Sequence, residues 1–172
     1  MIVWMHDKEI AVIEKYLKPT DFMFEWGAGG STLHFAKQVN KYVSVEHDRD
    51  WYNLVLRYVR NLGLMSKVML FHVEPNAPRT IPTKYEQFDD YINFIPDTYS
   101  EIKFDKVFID GRARQFCAMS ALKFIKPDGL MFIHDYFERE RYFSIEQGWE
   151  LVEAVRDTPQ TLAVFRPRGG KL

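Results

Sequence analysis

The chain has 172 residues, 47% hydrophobic and 27% charged, a composition that supports one domain with its own core and excludes a disordered or low-complexity polypeptide. Lys and Arg number 23 against 24 Asp and Glu, so the formal charge is -1 and the basic excess of an electrostatic nucleic-acid binder is missing. The single cysteine, Cys117, excludes an internal disulfide framework and a cysteine zinc site; with no signal-peptide core and no apolar run of about 18 residues, a cytoplasmic protein without a membrane partner is expected. Aromatic residues, at 16%, exceed what a core needs and suit ring-lined pockets.

Ile10, Ile13 and Leu17 recur at helical spacing before Lys18-Pro19, which predicts a helix over 6–17. Phe22-Met23-Phe24-Glu25-Trp26 is a short apolar run ending in glycines and predicts a buried strand. Ser31 is placed to cap a helix over 32–38, and Tyr42 to Glu46 predicts a second strand. Trp51, Leu54, Val55, Tyr58, Val59 and Leu62 keep helical spacing up to Gly63, a C-cap glycine, and a third strand is predicted over 68–73. Residues 75–103 carry Pro75, Pro78, Pro82 and Pro96 among Tyr85, Phe88, Tyr91, Phe94 and Tyr99. This lid-like insertion exceeds an ordinary connection, and its rings suit either an acceptor pocket or a cover over the core. Strand patterning resumes from Lys106 to Asp110, a helix follows over 113–125, and Leu130 to Asp135 predicts a fifth strand. A short helical stretch is expected near 138–147, then a hairpin of 149–155 and 161–165 around Asp157-Thr158-Pro159, and a frayed tail from Arg166.

Apolar strands alternating with helices predict a parallel sheet covered on both faces. Right-handed crossovers gather the ends of strands one, two, four and five at one edge, where ligands bind in such folds. The sequence places Glu25-Trp26-Gly27-Ala28-Gly29-Gly30-Ser31, Glu46, Asp110 and His134-Asp135 there, so each of those strand ends carries a carboxylate and none a lysine. The glycines let backbone approach a ligand, and the helix they open favours an anionic group. Glu46, 17 residues beyond Gly29, stands where a carboxylate takes both hydroxyls of a ribose. A dinucleotide loop of the form G-x-G-x-x-G needs glycine at position 32, which is Thr32; Glu25 is awkward beside a pyrophosphate but suits an amine. S-adenosylmethionine (SAM) has an amine, a carboxylate, a sulfonium and a ribose without phosphate, and fits better than NAD.

On Glu25 to Thr32 as an E/D-x-G-x-G loop, Val43-Ser44-Val45-Glu46 as an acidic second strand end and Phe104 to Gly111 as a fourth strand, nearly the whole chain resembles the class I SAM-dependent methyltransferases. In pattern it is closest to the small-molecule and sugar O-methyltransferases. The resemblance implies an α/β, Rossmann-like three-layer sandwich whose seven-stranded, mostly parallel sheet has the order 3-2-1-4-5-7-6, the last strand antiparallel. It implies a cofactor site of Glu25, Gly27, Ala28, Gly29, Ser31, Glu46, His47, Glu74 and Asp110. In it, Gly27 and Gly29 approach the methionine end, Glu46 the ribose, and His47 and Glu74 flank the adenine. Asp110-Gly111-Arg112-Ala113 stands where amino-methylating members carry D/N-P-P-Y/F, which argues against base amino methylation.

A sulfonium methyl is already activated, so the protein mainly aligns the reactants, but an alcohol acceptor must also lose a proton. Asp110, His134 and Asp135 form the dense polar group at that edge. Two mechanisms stand. In one, Asp110 and Asp135 hold Mg2+ or Mn2+, as in the metal-dependent O-methyltransferases the chain resembles, although His134 replaces a frequent aspartate. In the other, His134 is the general base, oriented by Asp135 or Asp110. Arg112, Arg114 and Tyr136 are expected on the acceptor side; the competing reading for the arginines is a surface ion pair with Asp105 or Glu101, and for Asp110 and Asp135 helix capping. Trp51 reads as packing and Cys117 as core. The expected function is methyl transfer from SAM to a hydroxyl of a small polyhydroxylated acceptor, a sugar or glycan. The rivals are an NAD-linked oxidoreductase, a SAM-binding module without turnover, and RNA methylation, which requires a basic face.

Overall fold

The computed structural model describes residues 1–76, 85–95 and 99–169. Its elements in chain order are α1 (Asp7–Tyr16), β1 (Phe22–Trp26), α2 (Gly30–Phe35), β2 (Lys41–Glu46), α3 (Arg49–Asn61), β3 (Val68–His72), α4 (Asp89–Asn93), β4 (Phe104–Ile109), α5 (Arg114–Ala121), β5 (Ile125–His134), β6 (Trp149–Val155) and β7 (Leu162–Pro167). Short 3-10 helices lie at Tyr85–Phe88 and Glu140–Gln147. The seven strands form one sheet in the expected order β3-β2-β1-β4-β5-β7-β6. Neighbours from β3 to β5 are parallel, and β7 runs antiparallel between β5 and β6.

Helix boundaries follow their caps. The His6 ring accepts from Lys8 N, and Glu9 Oε2 accepts from His6 N at 2.9 Å, a reciprocal box that starts α1. Asp48 Oδ1 accepts from the backbone N–H groups of Asp50 and Trp51 and starts α3. Ser31 does not cap α2. Gly29 is the capping residue, its N–H donates to Thr32 Oγ1 at 2.9 Å, and the helix ends at Phe35. The predicted frayed tail is partly strand, since β7 continues to Pro167; its last residues, 170–172, lie outside the described residues.

Strand alternation divides the core into two layers. Phe24, Trp26, Val107, Ile109, Met131 and Ile133 face α4, α5 and the second 3-10 helix. Met23, Tyr42, Phe108 and Phe132 face α1, α2 and α3. Cys117 lies buried in the first layer, as expected. The described part of the insertion covers this layer. Phe88, Tyr91 and Ile92 are buried, Phe94 packs on Phe71 at 5.3 Å between centroids, and Tyr99 packs edge-on against Phe22 at 5.1 Å. Of the two readings of the insertion, its described rings therefore take the core cover; 77–84 and 96–98 lie outside the described residues. No described helix is long and apolar enough to cross a membrane.

Two glycines set how closely the loops after β1 and β4 meet. Gly27 has a left-handed φ of 96°, and a Cβ on it would lie 2.5 Å from Gly111 N. Gly111 N in turn donates to Trp26 O at 2.9 Å, so the contact is backbone against backbone. Gly63 shares the positive φ, at 68°, but a Cβ there would meet nothing within 4 Å. The pair separates strain from contact. Gly63→Ala is expected to cost about 1 kcal/mol, the left-handed penalty alone, and Gly27→Ala about 3 kcal/mol or more, because backbone atoms must also move. Urea denaturation of both variants checks this; equal losses would contradict the close approach.

Candidate active site

The same alternation that splits the core aligns the ionisable side chains. Glu25 shares its parity with Met23, Glu46 with Tyr42, Asp110 with Phe108 and His134 with Phe132, so all four lie on the face covered by α1 to α3. The register places Ile109 beside Ile133, which sets Asp110 next to His134 at the sheet edge.

Glu25, expected at the cofactor, is buried and lies off the cavity wall. Its carboxylate accepts from Ser31 Oγ and Thr32 Oγ1, both at 2.5 Å, and from Ser44 Oγ at 2.7 Å. It thus ties β1 to β2 and to the first turn of α2. Burial pushes its pKa up to about 7, against the opposing effect of the three hydroxyl donors.

Beside this tie a cavity of about 800 Å³ opens at the carboxyl edge of β1, β2 and β4. Its wall includes Gly27, Ala28, Gly29, Gly30 and Ser31, then Glu46, His47 and Asp48, and Asp110, Gly111, Arg112 and Arg114. Glu46 Oε1 accepts from the backbone N–H groups of His47 and Asp48, both at 2.8 Å. No described residue hydrogen-bonds its Oε2. The His47 ring packs edge-on against Phe88 and Tyr91, at 5.4 and 5.7 Å. A Cβ at Gly29 would have only Trp51 near it, at 3.9 Å, so this stretch of backbone is bare toward the cavity. Residues 1–5 close the far side: Ile2 crosses Gly30 so tightly that a Cβ there would lie 2.3 Å from Ile2 O. Trp4 rests on Trp51 at 6.0 Å, and Trp51 Nε1 donates to Ala28 O at 2.7 Å.

At the β4–β5 end, Arg114 is clamped. Its Nε donates to Gly111 O at 3.0 Å, NH1 to Asp135 Oδ2 at 3.0 Å and to His134 O, and NH2 lies 3.1 Å from Asp110 Oδ1. His134 is buried, with Nδ1 2.9 Å from Asp110 Oδ1 and Nε2 3.3 Å from Glu9 Oε2. Glu9 also accepts from Thr158 Oγ1 at 2.6 Å. Burial opposes a charge on His134, but the Asp110 hydrogen bond and the charges of Asp110 and Asp135 outweigh it and raise the pKa. Asp135 holds a left-handed φ of 52°, with its N–H donating to Thr161 O at 2.7 Å.

The expected site residues divide between the cavity wall and positions away from it. His134, the alternative general base, is buried off the cavity wall with carboxylates at both ring nitrogens. Ligand atoms of Asp110, His134 and Asp135 lie within 4.8 Å of one another, a spacing an ion could bridge. The set nevertheless does not fit the expected Mg2+ or Mn2+ held by Asp110 and Asp135, because the Arg114 guanidinium already spans those two carboxylates. Tyr136 is fully buried, donates to Glu146 Oε1 at 3.0 Å and is off the wall, so it does not contact an acceptor there. Glu74 is exposed, paired with Arg49 and also off the wall. Asp105 pairs with Lys126 at 2.6 Å, and not with either of the two arginines. Gly27, Ala28, Gly29, Ser31, Glu46, His47, Asp110, Arg112 and Arg114 do gather around one cavity. Sequence reasoning missed residues 1–5, Asp48, Leu54 and Tyr58 on its wall and took Trp51 for packing alone. The available signal was an apolar stretch, Met1 to Met5, placed directly before a capped helix.

No family model and no curated protein matches the chain. Solved structures do. A methyltransferase-like protein from Silicibacter pomeroyi superposes with a TM-score of 0.70 at 20% identity, over 96% of this chain and 88% of that one. The N-methyltransferase NodS from Bradyrhizobium japonicum gives 0.62 at 14% identity, over 94% and 93%. A Streptococcus pneumoniae protein with a provisional tRNA (m1A22) methyltransferase assignment, solved with S-adenosyl-L-methionine, gives 0.63 at 10% identity, over 95% and 73%. The chain therefore has the fold of the class I SAM-dependent methyltransferases.

The two buried titratable groups give the fold a signed pH dependence. Glu25 titrates near 7 instead of the ordinary 4.5, so its contribution is fully present below pH 4.5 and is lost as pH rises through about 7. His134 is raised above 6.5, and its contribution likewise disappears as pH rises through its folded value. Thermal midpoints are expected to fall from about pH 5 to pH 8, and Glu25→Gln to flatten that slope by up to about 3 kcal/mol. A Glu25→Gln profile parallel to the wild type would contradict this.

Proposed function

We propose that this chain transfers a methyl group from S-adenosylmethionine to a small polar acceptor presented at Asp110, a hydroxyl of a polyhydroxylated molecule such as a sugar or glycan. The observation that carries the reading is one cavity joining the glycine loop with its open Cβ position at Gly29, the Oε2 of Glu46 that no described residue hydrogen-bonds, and the carboxylate of Asp110. The residues fit the cofactor. Glu46 Oε2 would accept the ribose hydroxyls, and the open Cβ position at Gly29 would let backbone approach the methionine end. When bound, SAM supplies an already activated methyl group. The chain then has to align the acceptor and receive its proton. Asp110 suits the role of proton acceptor, since His134 and Arg114 hold its Oδ1 and leave Oδ2 as the atom to take the proton.

A diphosphate cofactor fits less well. The N-terminal turn of α2 carries Thr32 where a third glycine is wanted, and Ile2 lies across Gly30. The net charge of -1, with no basic excess, favours a small acceptor over tRNA, the acceptor in the provisional assignment of the pneumococcal neighbour.

Calorimetric titration with S-adenosylhomocysteine (SAH) and with NAD tests the cofactor. SAH is expected to bind and NAD to fail. Glu46→Gln should weaken SAH roughly 10- to 100-fold, the loss of hydrogen bonds to a charged group. Gly29→Val should abolish binding while the circular dichroism spectrum is kept. Intact SAH affinity in Gly29→Val, or tighter NAD binding, overturns the reading. For the acceptor, SAH release is measured over a panel of sugars, glycans and unmodified tRNA. Asp110→Asn is expected to lower turnover on the acceptor found by about 100-fold or more with SAH binding retained, and release with tRNA alone would reject the small-acceptor assignment.

A further inference from the structure

We propose that the guanidinium of Arg114 is the resident cation of the Asp110–Asp135 pair, closing that pair to divalent metals, so that the chemistry at this edge runs without one. The methyl-transfer part of this proposal rests on the function proposed above; the exclusion of metal does not.

Arg114 opens α5, four residues after Asp110, where a positive charge opposes the helix dipole. Local helix energetics therefore do not favour it there. Ala113 immediately before it takes a left-handed φ of 52°, at a cost of about 1–2 kcal/mol for a residue with a Cβ. With the chain reversed at this point, the Arg114 side chain reaches back to the carbonyls of Gly111 and His134 and to both aspartates. All three guanidinium nitrogens are engaged, and the side chain is only 12% exposed.

Such a clamp is a poor neighbour for a metal. Mg2+ needs oxygens at about 2.0–2.1 Å in near-octahedral array. Asp110 Oδ1 and Asp135 Oδ2 lie 3.1 and 3.0 Å from an arginine that cannot lose its charge. An ion taking those two oxygens would release Arg114 from them, and one beside them would face the guanidinium charge. The His134 ring, with Nδ1 2.9 Å from Asp110 Oδ1 and Nε2 3.3 Å from Glu9 Oε2, takes up the same carboxylate oxygen from the other side. Arg114 thus acts through Asp110 as a positioning residue: it fixes Oδ1 and leaves Oδ2 available.

The test uses Mn2+ alone, followed by electron paramagnetic resonance and calorimetry on the full chain. Wild type and Asp135→Asn are expected to show the same weak background, with no site removed by the substitution. Arg114→Ala is expected to gain a site with a Kd on the order of 10⁻⁴ to 10⁻³ M, the range of modest carboxylate sites. That site should be lost again in Arg114→Ala/Asp135→Asn, and Arg114→Lys, which keeps a cation there, should not gain it. A wild-type Mn2+ site that Asp135→Asn abolishes overturns the proposal, as does a folded Arg114→Ala that gains none. Should Arg114→Ala not fold, the comparison of wild type with Asp135→Asn decides alone. SAH titrated into the same samples separates the two readings: loss of SAH binding in wild type removes the cofactor assignment and leaves the Arg114 assignment standing.

Discussion

Strand alternation puts a row of acids on one face of this sheet, and buried acids must be partnered. That requirement orders the rest of the structure. Glu25, deepest in the row, is satisfied by three hydroxyls and becomes a structural tie. Glu9 enters from α1 and is satisfied by Thr158, the His6 N–H and His134. Asp110 is held at one oxygen by a histidine and an arginine, and Glu46 at one oxygen by two backbone N–H groups. Glu25 and Glu9, with both oxygens partnered, are off the cavity wall. Glu46 and Asp110, each held at one oxygen, are on it, and these carry the proposed function.

The cavity results from close backbone packing as much as from charge. Gly27 against Gly111 brings the loops after β1 and β4 together, and Ile2 across Gly30 brings the first residues of the chain over the glycine loop. These contacts shape the space between Glu46 and Asp110 without placing a side chain in it at Gly29. Trp51 belongs to the same construction, since its indole fixes the carbonyl of Ala28 and supports Trp4.

Much of this was legible in the sequence. The buried strands show as short apolar runs, each ending in glycine or acid, and their alternation with helices leads to a parallel sheet covered on both faces; the seven-stranded order followed from the resemblance to the class I methyltransferases. The cavity residues Gly27, Gly29, Glu46 and Asp110 are legible for the same reason, because strand ends can be located. What was not legible depends on chain reversals and long-range partners. The partners of Arg114 follow from a left-handed Ala113, which no spacing rule announces. Glu9 and His134 meet across 125 positions, and Glu9 reads as an ordinary helix residue until α1 is packed over β5. Tyr136 lies just past a strand end, where sequence reasoning expects a ligand, yet it packs on Tyr142, Phe143 and Phe165. Ser31 looks like a cap because its hydroxyl is free to be assigned to one, whereas Glu25 takes that hydroxyl first.

The proposed function requires the cavity beside Glu46 to take an adenosyl amino acid. A crystal structure of the chain grown with SAH measures this most directly. Density is expected in that cavity, with ribose hydroxyls within hydrogen-bond distance of Glu46 Oε2 and the amino-acid end against the Gly27–Gly29 backbone. Ligand density at another place on the molecule, or no density in that cavity at saturating ligand, would contradict it.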